Sequence, residues 1–133
     1  MSPLRFTLEE ANALLPWLRD TFAEVHALRD RIATGVAAAR DLTMKARSNG
    51  GGGAVDRQLA EIEKELSGLN ESIQKRLDDV QRKGVIVRDL DRGLVDFPSL
   101  RDGREVHLCW LLGEDAIGFW HETDTGFGGR KPL

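Results

Sequence analysis

Cysteine is nearly missing from this chain of 133 residues, with a single copy; tyrosine is absent and proline occurs four times. One thiol cannot close an internal disulfide, so the fold does not depend on oxidation and a reducing cytoplasm suits it. No apolar run approaches the roughly 18 residues that a membrane span needs. The opening stretch carries Glu9 and Glu10 where a secretory signal would have a basic and then a long apolar segment, so none is expected. A large charge of one sign is missing too: 19 Lys and Arg stand against 22 Asp and Glu, a net charge of −3. Binders of nucleic acid or anionic membranes carry a basic field over the domain. Neither partner is expected here.

Two familiar motifs are also incomplete. Gly50 to Gly53 could suggest a phosphate cradle, but no strand precedes them and no Lys-Ser/Thr follows. Asp89-x-Asp91-x-Gly93 opens like a calcium loop, yet Leu100 stands where the closing glutamate is required.

What is present is a long helical pattern followed by a short stretch of alternation. Thr7 with Glu10 three residues on forms a capping box, which marks a helix start. Apolar residues then recur at steps of three and four, through Ala11, Leu14, Leu18, Phe22, Val25, Leu28, Ile32, Val36, Ala39 and Leu42. That spacing is the seam of a helix packed along another. Pro16 interrupts it, giving either a kink near Asn12 to Leu15 or a short first helix ending there. The seam resumes at Leu59, Ile62, Leu66, Leu69, Ile73, Leu77 and Val80, and Lys83-Gly84 supplies a helix stop. The expected layout is one domain over 1–133: a first helix at 6–47, a glycine-rich loop at 48–53, a second helix at 54–83, and a β-element with a tail at 84–133. Two such helices joined by a short loop run antiparallel, like a coiled-coil hairpin. Phe22, Leu28, Leu66 and Leu69 would stay partly wet on an isolated hairpin, which favours a homodimer through the helices. The alternative is that the C-terminal element folds over the hairpin and completes a monomeric core.

From Gly84 the period becomes two. Val85 to Val87, Leu94 to Phe97, Glu105 to Leu112 and Ile117 to Glu122 read as strands, with turns at Asp91-Arg92-Gly93, Asp102-Gly103 and Gly113-Glu114-Asp115, and Pro98 ending the second strand. The links are too short for parallel crossovers, so the expectation is an antiparallel meander of about four strands. The fold class is α+β. The last turn leaves the facing of His121 open: a two-residue turn buries it near Trp110, and a three-residue turn sets it opposite His107 with Cys109 close by.

Nearly all residues able to do chemistry lie in this last third. His107, Cys109 and His121, with Asp96 or Glu114, offer the nitrogen, sulfur and oxygen donors zinc prefers. No ligand pair at a metal-site spacing anchors them, so the plainer readings are a hydrogen-bonded histidine and a small apolar core cysteine. Asp96, between Val95 and Phe97, needs a partner, which Arg104, Arg130 or His121 could provide. Glu114 and Asp96 could act as an acid and base pair, and Cys109 with His121 as a nucleophile pair, though apolar flanks raise a thiol pKa. Arg130, in a glycine-rich tail, offers a fork for a carboxylate or phosphate, or is part of a frayed end.

Gly93-Leu94-Val95-Asp96-Phe97, Leu108-Cys109-Trp110, Gly113-Glu114, Trp120-His121, and Gly126-Phe127 with Arg130 together resemble a bacterial family known as domain of unknown function 2203. The opening Phe6-Thr7-x-Glu9-Glu10-Ala11 and Leu14-Leu15-Pro16 extend the resemblance over nearly the whole chain. It implies no reaction, cofactor or residue role, and adds only that Asp96, Cys109, Trp110, Glu114, Trp120, His121 and Arg130 fall on recurring motif positions. The functional expectation is a cytoplasmic binding or assembly module. Its polar pocket, built from Asp96, Glu114, His121, Arg130, Trp110 and Trp120, would take a small anionic ligand or a protein terminus. The alternative is a small hydrolase, metal-assisted or not, using Asp96, Glu114 and His121.

Overall fold

The computed structural model describes residues 5–49 and 52–133, and the chain divides into two compact units. One comprises the chain through Ala23 together with Leu77–Leu133; the other is Glu24–Arg76.

The capping box forms as the sequence predicts. The Glu10 amide donates to the Thr7 hydroxyl at 3.1 Å, and the Thr7 amide donates to the Glu10 carboxylate at 3.0 Å. The Thr7 amide, and after it the Thr7 hydroxyl, hold the Glu10 carboxyl below its ordinary pKa. The first helix, α1 (Leu8–Ala13), stops at Leu14, and α2 (Leu15–Asn49) restarts at once. Of the two outcomes open for Pro16, the short first helix is the one adopted. Pro16 falls in the first turn of α2, where its missing N–H has no partner to lose.

The expected boundaries at the loop shift. Ser48 and Asn49 are helical, and α3 (Gly53–Arg82) begins at a glycine expected in the loop. The end turns of a helix need fewer internal hydrogen bonds, so they admit residues its middle would exclude. Gly50 and Gly51 lie outside the described residues.

In the second unit α2 and α3 run antiparallel. Arg76 Nε donates to Glu24 at 2.6 Å and Arg31 pairs with Glu65 at 3.3 Å. A Cβ on Gly35 would come within 2.7 Å of the Leu66 side chain, so the glycine lets the helices approach there. Phe22 and Leu69, expected to stay wet on a lone hairpin, are buried by the chain itself, at 1% and 6% exposure; Leu28 and Leu66 are half-buried as expected. No helix among the described residues is long and apolar enough to cross a membrane.

The first unit carries a five-stranded antiparallel sheet in chain order: β1 (Ile86–Asp89), β2 (Leu94–Arg101), β3 (Arg104–Leu111), β4 (Phe119–Glu122) and β5 (Lys131–Pro132). Asp102 and Gly103 both take positive φ, 52° and 79°, the geometry of a two-residue hairpin turn between β2 and β3.

Two sequence expectations are corrected here, on Pro98 and the last turn, and one alternative, for the tail, is decided. Pro98 does not end the second strand; it pairs with His107 and β2 continues to Arg101. Its carbonyl accepts from the Phe6 amide at 2.7 Å, so its nitrogen, on the same side of the strand, points away from β3 and no ladder bond is lost. The tail is not frayed: Lys131 and Pro132 pair with Trp120 and Phe119 as a fifth strand. The link between β3 and β4 is no tight turn either. Residues 112–118 form it, with Ile117 buried and its amide held by the Asn12 side chain at 2.9 Å.

Residues paired across a ladder share a face. Val95, Phe97, Val106, Leu108, Trp110 and Trp120 face α1 and the adjoining parts of α2 and α3, where they form one core with Ala11, Leu15, Leu18, Phe22, Val80 and Val85. Asp96, His107, Cys109, Phe119 and His121 lie on the opposite face.

Candidate functional site

The register of β3 and β4 settles the position of His121. His107 pairs with His121 and Cys109 with Phe119, the arrangement in which two imidazoles share a surface. The His rings meet edge to face, with centroids 5.5 Å apart. Asp96 from β2 completes the group. Its Oδ1 lies 2.9 Å from His121 Nε2 and its Oδ2 3.4 Å from His107 Nδ1. Arg88 Nε of β1 donates to the same Oδ2 at 2.8 Å.

Burial makes these contacts matter. Asp96 and His121 are each 1% exposed, and a carboxylate out of water is costly unless cations and hydrogen bonds surround it. The His121 Nδ1 lies 2.6 Å from the Glu122 carbonyl oxygen. His107 is satisfied less well: its Nδ1 is buried without a close hydrogen bond, and Asp96 Oδ2 approaches it only to 3.4 Å, a weak charge contact. The potential ligand atoms of Asp96, His107 and His121 all fall within 4.8 Å of one another.

Beside this cluster the tail is clamped. Arg130 reaches both Glu114 oxygens at 2.8 Å, and its guanidinium lies 4.0 Å from the Phe119 ring centre and 4.7 Å from that of Phe127. Glu114 is a junction: its Oε1 also accepts from the Leu111 amide at 2.7 Å, and its carbonyl accepts from Trp110 Nε1 at 3.0 Å. Arg19 of α2 donates to the Glu114 and Asp115 carbonyls at 3.3 and 2.8 Å.

Residues 5–133 match the model of the family described as an uncharacterized conserved protein, DUF2203. The chain belongs to that family. No curated protein and no solved structure matches it.

In this DUF2203 chain the residues expected to form one pocket separate into three places. Asp96 and His121 meet, with His107. Glu114 and Arg130 meet each other instead. Trp110 and Trp120 point to the helix-covered side of the sheet, Trp110 fully buried and Trp120 flanked by Arg101 and Lys131, each 4.8 Å from its ring centre. Of the partners proposed for Asp96, only His121 is used; Arg104 pairs with Glu122 and Arg130 with Glu114.

Cys109 does not join the potential ligands. Burial pushes its thiol up to about 12, aided by the nearby Asp96 charge, and a protonated thiol is a weak nucleophile. Of the two carboxylates expected as an oxygen donor beside the histidines, Asp96 is the one that meets them. Two contributors went unread in the sequence, Arg88 and Arg19. Continuing the alternation from Ile86 by one more step would have placed Arg88 beside Asp96, but β1 is irregular between Val87 and Asp89. Nothing local marks Arg19, a helix residue whose partners are about 95 positions away.

Burial also lowers the His107 pKa below its ordinary value, an effect larger than the opposing pull of Asp96. An imidazole that resists protonation when folded, and accepts it freely when unfolded, favours the folded chain above the unfolded pKa of about 6.5 and loses that advantage as pH falls through and below it. Urea midpoints measured from pH 8 down to 5 should therefore decline, and the decline should be shallower in His107→Leu.

Proposed function

We propose that this protein is a binding module whose working site is the cluster of Asp96, His107 and His121 on the sheet face turned away from the helices. The observation that carries this reading is the buried, unpartnered Nδ1 of His107. A polar atom kept only for the fold as a rule finds a partner, because leaving it buried and unpaired costs about 1–3 kcal/mol, and unlike Arg130 Nε this atom lies beside two further potential ligand atoms. Departures from that rule gather at working sites. A cleft of about 160 Å³ beside His107, also lined by Ser99, Glu105 and Thr123, offers a small ligand a way in.

The character of the ligand follows from what is spare. A small anion would need a cation free to receive it, and Arg88 and Arg130 are engaged with Asp96 and Glu114. A hydrolase using Asp96 with Glu114 would need Glu114 released from Arg130. The cluster instead offers lone pairs to an electron-poor partner.

His107→Leu tests the reading. A residue retained for binding can be replaced by an apolar one of similar size without loss, so the variant should be as stable as the parent or about 1 kcal/mol more stable in urea unfolding at pH 7.5. A loss of about 2 kcal/mol or more would assign His107 to the fold and end the proposal.

A further inference from the structure

The hydrogen bonds of His121 constrain what can lie between it and Asp96. A main-chain carbonyl only accepts, so the Nδ1 that faces the Glu122 oxygen at 2.6 Å must carry the ring's N–H. In the neutral ring Nε2 then turns a lone pair toward Asp96 Oδ1, 2.9 Å away. Two lone pairs at that distance repel unless something positive sits between them, which means a proton or a metal ion. An imidazole tied through Nδ1 to a carbonyl, with Nε2 left for the metal, is a common way for proteins to orient a histidine ligand.

His107 supplies an independent observation. Its Nδ1 is buried without a partner and lies 3.4 Å from Asp96 Oδ2. Ligand atoms bound about 2.0–2.1 Å from zinc in tetrahedral geometry are about 3.4 Å apart. With Asp96 Oδ1 as the ligand oxygen, 2.9 Å from His121 Nε2, and one ligand atom from each of the three residues within 4.8 Å of one another, receiving such an ion needs shifts of about half an ångström to about 1.4 Å. Two nitrogens and one carboxylate suit a borderline transition metal and disfavour calcium or magnesium, which take oxygen. Arg88 would hold the second carboxylate oxygen in place, as outer contacts do at metal sites.

We propose that Asp96 through one oxygen, His107 through Nδ1 and His121 through Nε2 bind a single divalent transition-metal ion of the zinc class, leaving at least one position for solvent or a small ligand. This rests on the cluster being a binding site and names what it binds.

The test uses the full chain without an affinity tag, stripped with a chelator and dialysed. Calorimetric titration with zinc chloride should give one ion per chain. Cobalt chloride should produce the intense visible absorption of a four- or five-coordinate site. His107→Ala and the near-isosteric Asp96→Asn, each checked for native circular dichroism, should weaken binding by at least tenfold. Absence of stoichiometric zinc and cobalt binding, or binding of unchanged strength in both variants, would overturn the metal assignment. The two proposals fail separately. If zinc does not bind while His107→Leu remains fully stable, the cluster is a site for another ligand; if zinc does not bind and His107→Leu is destabilised, both are lost.

Discussion

Asp96→Ala is expected to lower the unfolding free energy by about 3 kcal/mol, near the lower end of the range for breaking a buried ionic network. The carboxylate is 1% exposed and is the common contact of Arg88, His107 and His121. Its loss strands His121 Nε2 in the interior and opens a small cavity beside Cys109. Arg88 moderates the effect because its side chain is 46% exposed and can return to water. Asp96→Asn keeps the shape and one acceptor oxygen, so it should recover part of the loss. Urea unfolding reads both variants, through a shifted midpoint with an unchanged slope. A change below about 1 kcal/mol in Asp96→Ala would show that the cluster contributes little to holding the sheet.

Glu114→Ala should cost a similar amount, about 3 kcal/mol, by another route. The Arg130 side chain is 12% exposed and its Nε already has no partner, so removal of Glu114 leaves a buried cation uncompensated. The Leu111 amide loses its acceptor as well. What distinguishes this variant is where it loosens. Arg130 anchors the segment leading into β5, so amide exchange should accelerate over residues 126–132 more than over β2 and β3. Arg130→Lys should not restore the clamp, since an ammonium lacks the planar guanidinium that packs against the Phe119 and Phe127 rings. Uniform exchange along the sheet in Glu114→Ala would count against the clamp.

The two sites differ in how far the sequence foretold them. Thr7 and Glu10 act within one helical turn, the seam from Ala11 to Leu42 repeats a local period, and Asp102-Gly103 carries the φ preferences of its own turn, so each is legible without knowing what lies nearby. Pro98 misled because a proline stops a strand only where its missing N–H would have joined the ladder, and the β2–β3 register turns that nitrogen away from β3, to the side where the Phe6 amide meets the Pro98 carbonyl. His121 stayed ambiguous because one residue of register flips every side chain, and the register was decided by a link spanning residues 112–118 that Asn12 pins through Ile117.

By itself, then, the sequence determined the α+β class, the antiparallel helices, the hairpin turn at Asp102-Gly103 and the stretch of chain bearing the polar groups, because short-range sterics and the spacing of apolar residues decide these. Only the tertiary structure decided that Asp96 meets both histidines while Glu114 leaves them for Arg130. Those pairings join residues 11 to 25 positions apart, and which carboxylate reaches which cation depends on strand register, sheet face and the return of the tail.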